Sequence, residues 1–98
     1  MKIAIASTGK SIDSEVNPVA GRTPYFLIFE NKKLIETLKN PFAIGGGGAG
    51  FSVAKMLEDK NVGLVIAGHF GNNMLGALKE KNIKHKELPD KSINEVLE

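Results

Sequence analysis

Unbroken apolar runs alternate along the chain with segments whose apolar residues recur at helical spacing. Ile3, Ala4, Ile5 and Ala6 lie together between Lys2 and Ser7, and Thr8, Gly9 and Lys10 end the run. A short apolar run closed by turn residues predicts a buried strand. SIDSEVNPVAGR is polar, carries Pro18 and Gly21, and reads as a loop. TPYFLIFEN, rich in aromatic and branched residues, predicts a second strand. Asn31 and Lys32 predict a tight turn, KLIETLKN returns with rough alternation, and Pro41 stops it. These two segments form a hairpin.

Helical spacing takes over from Phe51 to Lys60. Val53, Ala54, Met56 and Leu57 share one face, Glu58, Asp59 and Lys60 face outward, and Asn61 provides a stop. VGLVIAG is a wholly apolar strand of the kind covered on both faces. Asn72 or Asn73 is placed to cap the next helix, which turns Met74, Leu75, Ala77 and Leu78 inward. NIKHKEL predicts a short strand. DKSINEVLE opens a last short helix, with Ser92 as cap and Glu95 three positions on, the spacing of a capping box.

The predicted order is β-ββ-α-β-α-β-α, an α/β fold. The most apolar strands, 2–7 and 62–67, belong at the sheet centre, and the hairpin makes one strand antiparallel, so the sheet is mixed. Right-handed crossovers place helices on the faces. Ile3, Ile5, Phe26, Ile28, Leu64 and Ile66 are expected in the core. If the first, third, fourth and fifth strands run parallel, loops 7–10, 17–23, 45–50 and 68–73 gather at one end of the sheet. Ligands of open α/β sheets bind at that carboxyl end.

Composition narrows the chemistry. Ninety-eight residues, 42% of them hydrophobic, make one domain spanning 1–98. A net charge of +2 and the mixed-sign KEKNIKHKELPDK segment give no footprint for nucleic acid. Without cysteine, the chain offers neither a disulfide nor a thiolate metal site. MKIAIAS is too short for a signal h-region or a membrane span, so a cytoplasmic location is the expectation.

The densest motif is AIGGGGAGFSVAK, residues 43–55, with glycines at 45–48 and 50. Gly45, Gly47 and Gly50 fit G-x-G-x-x-G literally, but Pro41 interrupts the approach and the next strand ends at Ala67-Gly68 with no carboxylate. A dinucleotide site needs both features. Gly45, Gly50 and Ser52 have phosphate-loop spacing, yet Phe51 stands where that loop requires its lysine. No nucleotide is therefore expected. Two readings stay open: a connection whose glycines only let the chain turn, or a backbone cradle for an anion at a helix N-terminus.

Several segments, taken in order, resemble the dinitrogenase iron-molybdenum cofactor biosynthesis family, meaning the NifX-like proteins, the C-terminal domain of NifB-like proteins and their stand-alone relatives. They are MKIAIAS, GRTPYFLIFE at 21–30, NPFAIGGGGAGFSVAKML at 40–57 and GLVIAGHFGNNMLGALKEKNIK at 63–84. The most specific pieces are Gly21-Arg22-x-Pro24-Tyr25-Phe26 and Gly47-Gly48-Ala49-Gly50. The resemblance implies a ribonuclease-H-like three-layer fold, a five-stranded mixed sheet with one antiparallel strand and helices on both faces. It also implies non-enzymatic carriage of an iron-sulfur-type cluster, the iron-molybdenum cofactor or a precursor. Metal-cluster assembly or acceptor proteins are the implied partners, with no nucleic acid and no membrane. Cluster-carrying members typically have histidines near the positions of Val19-Ala20 and of residues 42–46, which here are Phe42-Ala43-Ile44-Gly45-Gly46. The alternative is a small anion- or protein-binding module of the same fold that has lost its cluster ligands.

The candidate site comprises Arg22, Gly46, Gly47, Gly48, Gly50, His69 and Asn72, with His69 as the candidate metal ligand. His69 lies just after the apolar strand 62–67, beside the glycine loop, where it either caps a loop carbonyl or offers imidazole to a metal. Arg22 either pairs with Asp13, Glu15 or a loop carbonyl, or complements an anionic ligand. Asn72 and Asn73 read as caps or ligands, Ser7 and Thr8 could add hydroxyls, and His85 reads as a surface residue. No catalytic constellation emerges: Asp13 and Glu15 have no histidine in sequence reach, and no strand end carries the acidic cluster that holds two metal ions.

Overall fold

The computed structural model describes residues 1–44 and 48–98. The elements are β1 (Lys2–Ser7), β2 (Tyr25–Glu30), β3 (Lys33–Lys39), α1 (Ala49–Asp59), β4 (Val62–Ala67), α2 (Asn72–Glu80), β5 (Lys84–Glu87) and α3 (Ile93–Leu97). The sheet order is β3-β2-β1-β4-β5. β2 runs antiparallel to both β1 and β3, whereas β4 is parallel to β1 and β5 to β4. Four strands thus share one direction, and β2 is the antiparallel one. Asn31 and Lys32 both take positive φ (53° and 66°) to close the hairpin, matching the right-handed twist of the strands they join.

Period-two alternation sends successive side chains to opposite faces. Ala4, Ala6, Phe26, Ile28 and Val65 pack with Val53, Ala54 and Leu57 of α1 and with Met74, Ala77 and Leu78 of α2. Ile5, Leu27, Phe29 and Ile66 pack on the other face with Val16 and with Ile93 of α3. The result is three layers. The expected core is corrected at two positions: Ile3 and Leu64 are only partly buried against the second cluster. Five-residue α3 is too short to cover that whole face.

Both longer helices end as their residues dictate. Asn61 and Asn82 adopt left-handed φ values of 62° and 58° just past α1 and α2, where asparagine tolerates the conformation better than most residues. α3 begins with the complete capping box of Ser92 and Glu95.

The polar segment after β1 is more ordered than a plain loop. Asn17 N–H donates to the Ala6 carbonyl at 2.7 Å, Gly68 N–H to the Asn17 carbonyl at 3.0 Å and Ala20 N–H to the His69 carbonyl at 3.1 Å. It is thereby stitched across the ends of β1 and β4. Gly68 makes this approach possible, because a Cβ there would lie 2.8 Å from Pro18 Cα.

Candidate functional site

The shared strand direction brings the predicted loops 7–10, 17–23 and 68–73, and residues 48–50 of the fourth, to one end of the sheet. A cleft of about 330 Å³ opens there between the start of α1, at Gly48–Gly50, and the start of α2, at Gly71–Met74. Val19, Gly21 and Arg22 from the segment before β2 close its side.

The two helix starts are alike. The first intrahelical donors are Ser52 N–H, to Gly48 O at 3.2 Å, and Leu75 N–H, to Gly71 O at 3.0 Å. The amides of residues 49–51 and 72–74 therefore lack an intrahelical partner. Neither start has a side-chain cap or an acidic residue in its first turn. Each carries the partial positive charge of a helix N-terminus, and both face one cleft. Arg22 adds a full charge, directed by a 3.1 Å hydrogen bond from its Nη1 to the Phe42 carbonyl.

Two glycines have separate physical reasons. Gly48 has φ +85°, a conformation side chains resist. At Gly50 a Cβ would stand 3.0 Å from both Cβ and N of Met74, so its absence lets the two helix starts approach. Gly46 and Gly47 lie outside the described residues.

Arg22, Gly48, Gly50 and Asn72 are therefore brought together, and His69 is placed beside them. Its backbone bridges to Val19, which lines the cleft, but its imidazole is not part of the lining. That ring is 79% exposed, with Nδ1 3.5 Å from Oε2 of Glu87 on β5. The same carboxylate oxygen accepts the Phe70 N–H at 3.2 Å. His69 thus faces a carboxylate, not a loop carbonyl. His85 is exposed and meets the Phe70 ring edge-on, with centroids 5.1 Å apart. Among the described residues, no group of three or more His, Asp or Glu side chains is arranged to hold a metal ion.

Three expectations are corrected. Asn72 and Asn73 do not cap α2; Gly71 is the N-cap, extended at φ −76° and ψ 159°, so both asparagines fall inside the first turn. Ser7 is fully buried, and its Oγ bonds the backbone of Gly9. Thr8 Oγ1 accepts the Glu15 N–H, so both hydroxyls serve their own loop. Arg22 meets a loop carbonyl, one of the expected partners, and Asp13 accepts from Asn94 Nδ2. Sequence reasoning missed Val19 and Gly71 as lining residues. It also missed Asn40, buried behind Arg22, although an Asn-Pro pair ending a strand is a turn signal.

The sequence profile of the family described as dinitrogenase iron-molybdenum cofactor matches residues 1–98. The chain belongs to this family. Its structure is similar to that of a candidate NifB protein from Thermotoga, with a TM-score of 0.83 and 29% identity over 98% of this chain and 83% of that one. It is also similar to the apo form of the orange protein from Desulfovibrio gigas, with a TM-score of 0.90 and 24% identity over 98% of this chain and 82% of that one. The second likeness is one of fold. None of the curated proteins matches the chain. No described helix is long and apolar enough to cross a membrane.

Proposed function

We propose that this protein is a non-enzymatic carrier that holds an iron-sulfur-type cluster, the iron-molybdenum cofactor or a precursor of it, exchangeably in the cleft between α1 and α2. The observation that carries the reading is the convergence of two uncapped helix starts and Arg22 on one cleft, in a chain of a cofactor-related family. Sulfide and oxyanion edges of a cluster are hydrogen-bond acceptors with negative charge, which unpaired N–H groups and a guanidinium complement.

His69, beside the cleft and outside its lining, is the metal ligand in this reading, reached at the cleft's edge. With Nδ1 3.5 Å from the Glu87 carboxylate, the imidazole offers Nε2 to a metal, as in the carboxylate-histidine arrangement that orients metal-bound histidines. A single nitrogen donor with no thiolate holds a cluster loosely. That suits transfer between assembly and acceptor proteins.

The absence of a three-ligand cluster among the described residues favours a second reading, a small anion- or protein-binding module. Anaerobic reconstitution separates the two. The protein is incubated with iron and sulfide, or with isolated iron-molybdenum cofactor, and assayed by metal content and visible absorption beside His69→Ala and Arg22→Gln. A substoichiometric cluster lost in His69→Ala with the fold intact is expected. No uptake by the wild type, or full retention by both variants, refutes the carrier reading.

A further inference from the structure

Arg22 is exposed, yet the backbone on either side of it is gripped by a single buried side chain. Asn40 is 3% exposed. Its Nδ2 donates to the carbonyls of Gly21 at 3.2 Å and Thr23 at 2.8 Å, the two residues flanking Arg22. Its Oδ1 accepts the N–H of Phe42 at 2.9 Å, and Phe42 is the residue whose carbonyl receives Arg22 Nη1. One amide thus holds both neighbours of the arginine and a residue that accepts from its guanidinium.

Surrounding bonds make this grip firm. Asn40 N–H donates to Pro24 O at 2.9 Å. Thr23 is fully buried, with Oγ1 2.9 Å from Ser7 O and 3.0 Å from Tyr25 O, which ties the arginine segment to the end of β1. The chemistry at position 40 is specific. Two carbonyls demand two N–H donors and one N–H demands an acceptor, which a primary amide supplies on one short stem. Aspartate would set a carboxylate oxygen against two carbonyls, and alanine would leave two carbonyls and an amide without partners.

We infer that Asn40 is a positioning residue that fixes the direction of Arg22 at the cleft, an inference that rests on the cleft's being the cargo site. Asn40 touches no ligand itself; it acts through Arg22. Asn40→Ala and Asn40→Asp therefore lower cargo uptake to the level of Arg22→Gln, and combining either with Arg22→Gln lowers it no further. A merely structural role gives the opposite result, because general loosening adds to the loss of the charge.

The test has two arms on the isotopically labelled full chain. NMR first reads amide exchange at Phe42 and Thr23 and the Arg22 Nε–H signal, without any ligand. The Asn40 side-chain amide protons of the wild type should exchange slowly, a check needing no variant. In Asn40→Ala the Phe42 amide should exchange on the order of tenfold faster, as a lost buried hydrogen bond allows, with β1 and β4 amides unchanged. Asn40→Asp keeps the side-chain volume and an acceptor for the Phe42 N–H, so it isolates the loss of the two donations to Gly21 and Thr23, read at the Thr23 amide and the Arg22 Nε–H signal. Isolated iron-molybdenum cofactor is then offered anaerobically to the wild type, Asn40→Ala, Arg22→Gln and the double variant. Non-additive losses support the inference. Unchanged Phe42 and Arg22 signals, or additive losses, overturn it. Failure of the wild type to load overturns the cargo reading instead, while the ligand-free arm still decides whether Asn40 orders Arg22.

Discussion

The three helices among the described residues begin in two different ways. α3 starts with Ser92, whose side chain accepts the Glu95 N–H while the Glu95 carboxylate accepts the Ser92 N–H. α1 and α2 start with Gly48 and Gly71, without a side-chain cap or an acid in the first turn. The shortest helix thus has partners for its first amides, Ser14 O for Ile93 N–H and the Ser92 side chain for Glu95 N–H, whereas the two longer ones start at a shared cleft without a cap. Capped starts complete a fold; uncapped starts that converge leave donors for something else. α1 and α2 do without caps because buried faces hold them, with Val53, Ala54 and Leu57 on one and Met74, Ala77 and Leu78 on the other.

Removing that support should have the largest effect. Leu57 is fully buried in the cluster beneath α1 and α2, so Leu57→Ala should cost about 2–5 kcal/mol in urea unfolding. Leu64→Ala, at a partly buried position under α3, should cost less. A larger loss at Leu64 would contradict the assignment of the main support to the α1–α2 face.

Removing the cap of α3 should cost less again. Ser92→Ala takes away the acceptor for Glu95 N–H and should destabilise by about 1 kcal/mol, with faster amide exchange confined to the C-terminal segment and no change in cargo uptake. Altered loading in this variant would break the separation between capped and uncapped starts.

A smaller effect comes from pH. Hydrogen bonding to Ser92, chiefly to its backbone N–H, holds the Glu95 carboxyl below its ordinary value. A lowered folded-state pKa contributes stability above the unfolded value, about 4.3 for glutamate, and that contribution is lost as pH falls through the lower folded value. The wild type should therefore exceed Glu95→Gln in α3 protection at neutral pH and lose this advantage in acid. An advantage that persists in acid would contradict the assigned role of the carboxylate.

The architecture was legible where physics is local. Ile3–Ala6 and VGLVIAG announce two strands by being apolar throughout, Asn31-Lys32 marks the hairpin by its spacing, and Ser92 with Glu95 spells a cap. The site was legible in part: strand order predicted which loops meet, and Arg22, Gly48, Gly50 and Asn72 do meet. What remained hidden depends on approach in space. His69 follows β4 as expected, but only the adjacent β5 puts Glu87 against its ring. Asn40 bonds residues some 20 positions away, so nothing in its sequence neighbourhood distinguishes it from an ordinary turn asparagine. At α2, statistics favour Asn72 as a cap, but the chain stays extended through Gly71 and starts the helix there.

The difference between the two kinds of helix start is tested most directly by giving α2 the cap it lacks. Gly71 has extended backbone angles, and a Cβ there meets nothing within 4 Å, so Gly71→Asp and Gly71→Asn fit without strain. Each should add a side-chain acceptor for the α2 amides, and the aspartate should stabilise the fold by about 0.3–1 kcal/mol through the helix dipole. Thermal unfolding and anaerobic loading with isolated iron-molybdenum cofactor are measured together on the three proteins. A higher melting temperature with sharply reduced loading for Gly71→Asp, and a milder reduction for Gly71→Asn, is the predicted result. Wild-type loading in a Gly71→Asp protein that melts higher would mean that the open amides of α2 are not where the cargo binds.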